Sequence, residues 1–141
     1  MITLALAARM TQAAVDRAAE IGALVSAAVV DQGGHLVHFQ RMDKAEIAGP
    51  TLAVDKAFTA VAHRIETADL GPLTAPGAPL WGLQANGGGR YVVFAGGGPC
   101  WHDGVVVGGV GVSGGTPEED AACARAALSV FEGLAAGELR G

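Results

Sequence analysis

The stretch GGVGVSGGTPEED, residues 108–120, sets Gly109, Gly111 and Gly114 in the order G-x-G-x-x-G, the spacing of a dinucleotide-binding loop. In a nucleotide fold such glycines follow a strand, open a helix, and are answered by an acid ~20 residues on at the end of a second parallel strand. Here Thr116, Pro117, Glu118 and Glu119 instead form a capping box with proline at the first helical position. Ala124, Leu128, Phe131 and Leu134 then run at helical spacing, so the last residues leave no room for that second strand. No G-K-[ST] follows to make a phosphate-binding loop. The stretch reads as a glycine-rich strand that turns sharply into a capped helix and is not expected to bind NAD. Glycines inside a strand still mark a place where a neighbouring backbone or a ligand comes close.

The rest of the composition bounds the class. A chain of 141 residues, half of them apolar and 16% charged, is expected to form a single domain over residues 1–141 with a real core. The mean hydropathy of +0.37 is high for so small a domain, and surplus apolar surface points to a homo-oligomer. A net charge of −5 with no concentration of Lys or Arg makes nucleic acid and anionic membrane surfaces poor partners. The longest apolar runs are glycine-rich and far short of the ~20 residues of a membrane span. The N-terminal segment reads as an amphipathic helix and not as a signal peptide, which predicts a cytoplasmic protein. Cys100 and Cys123 form neither C-x-x-C nor a metal pair, and in that compartment both stay reduced.

Along the chain, Thr3 caps a first helix whose positions Leu4, Ala8, Thr11, Val15 and Ala18 face one way, ending near Gly22. The runs VSAAVVD and HLVHFQRM, separated by Asp31-Gln32-Gly33-Gly34, predict a β-hairpin. A second helix is expected over residues 52–64, and residues 67–89, rich in glycine and proline, are expected to be a long functional loop. RYVVF, CWHD and VVVGGVGVS then suggest three further strands. The order α-β-β-α-β-β-β-α predicts an α+β domain with a five-stranded, mainly antiparallel sheet and packed helices.

Asp31-x-Gly33-Gly34-x-Leu36, Arg41-Met42-Asp43, Lys56-Ala57 with Thr59-Ala60, Phe94-Ala95-Gly96-Gly97, and Gly109-x-Gly111-Val112-Ser113-Gly114-Gly115 with Asp120 occur in that order. Together they closely resemble the GlcG/HbpS family over nearly the whole chain. The resemblance implies a profilin-like or PAS-like sandwich, usually assembled into oligomers, with haem binding as the best-known shared activity. It also implies that the glycines of residues 109–115 let the last turn approach a pocket or a neighbouring subunit. The sequence departs from the family at FAGGGPCWHDG, where Cys100, Trp101 and His102 replace the usual aliphatic end, and at His63.

Four histidines are candidates for chemistry. His35 and His38, three apart on a strand, point to opposite faces and cannot share a metal. Lys56, Thr59 and His63 share one side of the second helix. His102 lies between Trp101 and Asp103, where a carboxylate can hold the imidazole and a flat ring can stack on the indole. Arg41 offers a guanidinium fork to a carboxylate, or forms a surface pair with Asp43. The leading expectation is therefore a small-ligand-binding protein for haem or a related flat, carboxylate-bearing ligand. His63 or His102 would meet the haem iron, with Arg41, Lys56, Thr59 and Trp101 completing the site. The competing expectation is a cofactor-free isomerase, hydratase or lyase for a small organic acid, with His63 and His102 as catalytic acid/base groups. G-V-S-G-G around Ser113 has the form of a nucleophile elbow, but no histidine follows it, which excludes a triad.

Overall fold

The Thr3 side chain accepts a hydrogen bond from the Leu6 amide and opens helix α1, Leu4–Ile21, which ends at Gly22 in the left-handed conformation. Strands β1, Ser26–Asp31, and β2, Leu36–Arg41, follow as the expected hairpin. Its turn is fixed by Asp31, whose Oδ1 accepts from the amides of Gly33 and His35. Helix α2, Gly49–His63, is followed by α3, Thr67–Thr74, then by a turn-rich segment over residues 75–96. Strands β3, Gly97–His102, and β4, Val105–Ser113, form a second hairpin, and α4, Pro117–Arg140, packs back over the sheet. The expected capping box forms: the Glu119 amide donates to Thr116 Oγ1, and the Thr116 amide donates to Glu119 Oε1. The computed structural model describes residues 1–140, with side chains over residues 1–134.

Among the described residues the strands make one four-stranded antiparallel sheet in the order β2-β1-β4-β3. Helices α1 and α4 cover one face, where Met10, Ala14, Val29, Val110, Leu128 and Phe131 belong to the buried core. Helix α2 lies on the other face, directly against the glycines of β4. A Cβ built on Gly111 would overlap the Ala53 carbonyl oxygen, and one on Gly109 would stand 2.8 Å from that of Ala57. The glycine spacing that imitates a nucleotide loop therefore admits a helix of the same chain onto the sheet. Among the described residues, no helix is long and apolar enough to cross a membrane.

Two sequence expectations change. RYVVF does not form a fifth strand: it lies beside α2, where the Val92 amide donates to Thr59 Oγ1 and Arg90 Nε donates to Asp55 Oδ1. An apolar run bounded by glycines carries the local mark of a strand, but a helix side chain takes the amide a ladder would need. The segment expected to be loop throughout opens instead with α3, anchored by buried Leu70 and by buried Thr67, whose Oγ1 accepts from the Gly97 amide.

Candidate functional site

Lys56, Thr59 and His63 do share a row on α2, and each has a different environment. Lys56 turns inward, fully buried, and its Nζ donates to Asp120 Oδ2 at 3.1 Å and to the Val112 carbonyl at 2.9 Å. Asp120 Oδ1 in turn accepts from the Gly115 amide, and the Lys56 ammonium lies 5.0 Å from the centre of the Phe94 ring. Burial lowers the Lys56 pKa against the opposing pull of Asp120, and burial raises that of Asp120 against the pull of Lys56. This pair links α2 to the start of α4, and it leaves Lys56 no exposed ammonium to offer a ligand. Thr59 is also buried: its hydroxyl donates to the Asp55 carbonyl and accepts from the Val92 amide.

His63 closes the row. Its ring meets Tyr91 edge-on at 4.5 Å between centroids, and its Nε2 is buried without a hydrogen-bond partner. Tyr91 also stacks parallel to Phe58 at 6.3 Å, and the Arg90 guanidinium lies over Phe58 at 3.7 Å. The end of α2 thus carries two parallel aromatic rings, a guanidinium and an imidazole whose Nε2 is buried without a partner. An imidazole nitrogen of this kind can accept or donate a hydrogen bond or bind a metal, whichever its protonation allows.

The hairpin tips meet α2 at the same end. Gln32 from the first hairpin, Val61 and Arg64 from α2 and its cap, and Trp101, Gly104 and Val105 from the second hairpin line a notch of about 270 Å³. Arg64 and Asp103 adopt the left-handed conformation at φ 55° and 48°, a costly choice for residues other than glycine. His102 follows Trp101 with its Nε2 3.3 Å from Asp103 Oδ2, and Trp101 is about half exposed.

The sequence-derived residues therefore separate. His63, Trp101 and His102 come to one end of the sheet. Arg41 lies at the other: it pairs with Ser26, against which the first residue of α2 rests, and its guanidinium donates to the Ala45 carbonyl. Arg64, Arg90 and Tyr91 join the site although neither motif nor spacing singles them out. Arg90 and Tyr91 sit in the run that has the local mark of a strand, and the Asp120 partner of Lys56 lies 64 residues away. His38 is tied to α1, its Nδ1 standing 2.8 Å from Thr11 Oγ1. Among the described residues, no three His, Cys, Asp or Glu side chains cluster to hold a metal ion.

Known proteins share this fold and much of this sequence. Residues 2–129 match the family model described as haem degrading protein HbpS-like. The chain is 44% identical over 133 residues to an uncharacterized 15.0 kDa protein from the dhaT-dhaS intergenic region of Citrobacter freundii, covering 94% of both chains. It is 39% identical over 123 residues to the corrinoid adenosyltransferase PduO of Salmonella typhimurium, covering 87% of this chain but only 37% of PduO. Among solved structures, the PduOC:heme complex superimposes with a TM-score of 0.83 at 39% identity, over 86% of this chain and 88% of the other.

Proposed function

Because the chain belongs to the HbpS-like family, we propose that it is a small-ligand-binding protein that takes haem, or a related flat carboxylate-bearing molecule, at the end of α2. The observation that carries this reading is the notch at the end of α2, lined by the Trp101 indole and Arg64, next to which His63 keeps a buried, unpartnered Nε2. A nitrogen left without a partner in a polar, aromatic setting is costly unless something else completes it. Of the residues that line the notch, the Trp101 indole suits a flat ring and Arg64 a carboxylate, while the His63 imidazole, whose Nε2 is buried, would have to be uncovered to meet an iron. Bound haem would supply a redox-active iron centre. The chain's own part is to hold that ring against Trp101 and to position the His63 imidazole beside Tyr91, with His102 as the second candidate ligand.

The notch alone is smaller than the ~300–1,000 Å³ typical of enclosed ligand sites, so a large flat ligand would project from it. Assembly as a homo-oligomer belongs to the same reading, supported by exposed Ile47, Trp81 and Phe94. A cytoplasmic setting also belongs to it, supported by two free, buried cysteines. Titration of the purified protein with haemin tests the function. A saturable, shifted Soret band at stoichiometric protein is the expected result, and the unaltered spectrum of free haemin would remove haem as the ligand.

A further inference from the structure

Trp101 also borders a second cavity, of about 480 Å³, with a different chemistry. It opens between the edge strand β3, the start of α3 and α4. Its floor is apolar, made by Pro99, Leu128 and Phe131, all buried. Its rim carries the carboxylates of Glu66, Asp69 and Glu132, together with the exposed Trp101 indole. The one cation of this lining, Arg125, is paired with Glu132. Glu66 and Asp69 have no salt-bridge partner among the described residues.

We propose that this cavity binds an amphipathic organic cation, an aryl- or alkylammonium compound whose apolar body rests on Leu128 and Phe131. Three observations converge on that class. The volume falls within the range of small-molecule sites. The unpaired carboxylates at the mouth favour a cation and repel an anion. An exposed indole beside them adds the attraction of a π face for an ammonium group. Pro99 argues against an added β-strand as the occupant, because it withholds a backbone donor from this edge of the sheet. Trp101 thus borders two sites of opposite charge preference, one with Arg64 and the other with Glu66 and Asp69.

The probe is phenethylammonium, with phenylacetate and 2-phenylethanol as charge controls, followed by the indole N–H resonance of Trp101 assigned through a Trp101→Phe variant. Phenethylammonium should shift that resonance saturably while phenylacetate does not, and 2-phenylethanol should bind at least about fivefold more weakly. Glu66→Gln and Asp69→Asn, both exposed and outside the proposed haem site, should each weaken binding by about fivefold. Equal binding of the alcohol, unchanged affinity in both variants, or no saturable shift of Trp101 would overturn the proposal. Haemin binding by the Glu66→Gln protein should stay as in the wild type, so a failure here is distinct from a failure of the haem reading.

Discussion

At the scale of single residues, the Lys56–Asp120 pair joins α2 to the start of α4 through two buried charges. Both side chains are almost wholly inaccessible, and removing one partner strands the other's charge in the interior. Asp120→Asn should therefore lower stability by ~3–5 kcal/mol in urea unfolding. The double replacement Lys56→Met with Asp120→Leu should recover most of that loss, and additive losses would show that the pair does not act as a unit. The cysteines give a pH dependence of definite sign. Burial pushes the Cys100 thiol up to about 12 and the Cys123 thiol to about 11, from an ordinary value of 9.0. Between the ordinary value and these raised ones, the native state keeps protons that the unfolded chain has lost. Stability therefore falls as pH rises above about 9 and is unaffected by these groups well below it. Urea midpoints measured from about pH 8 to about pH 11 should decline, and Cys100→Ala should flatten the decline; an equal slope in both proteins would contradict it.

At the scale of elements, much was legible because the signals are local. The Thr3 cap, the Asp31 turn and the Thr116–Glu119 box each lie within a few residues of what they fix. RYVVF is not a strand because Thr59 on α2, 33 residues before Val92, takes its amide. The same limit hid the surroundings of the candidate site: helical spacing places Lys56, Thr59 and His63 in a row, but not the elements that cover them. The glycines of β4 make a separate claim about packing. Gly111→Ala should push α2 off the sheet and cost at least ~2 kcal/mol, since the Ala53 backbone cannot yield as a side-chain end would. Gly133→Ala, on α4 with nothing within 4 Å, should instead stabilise by ~0.5–1 kcal/mol. Equal denaturation midpoints for the two variants would refute this account of the sheet.

At the scale of the whole molecule, the fold places the two hairpin tips and the end of α2 together, while Arg41 occupies the opposite end of a helix roughly 22 Å long. The family resemblance read from the sequence anticipates the α+β fold, and the structure places Arg41 apart from His63, Trp101 and His102. Half-exposed Phe94, with Ile47 and Trp81 more exposed still, is the apolar surface on which the proposed self-association rests. Light scattering at micromolar concentration should report a mass well above 14.1 kDa, and a lone monomer would count against the oligomer. The central claim concerns the end of α2, and the Soret spectrum of a His63→Ala variant titrated with haemin tests it most directly. Loss or displacement of the wild-type band, with the protein's fold intact by circular dichroism, is the predicted result. A band identical to that of the wild type would contradict the assignment of His63 and move the ligand elsewhere.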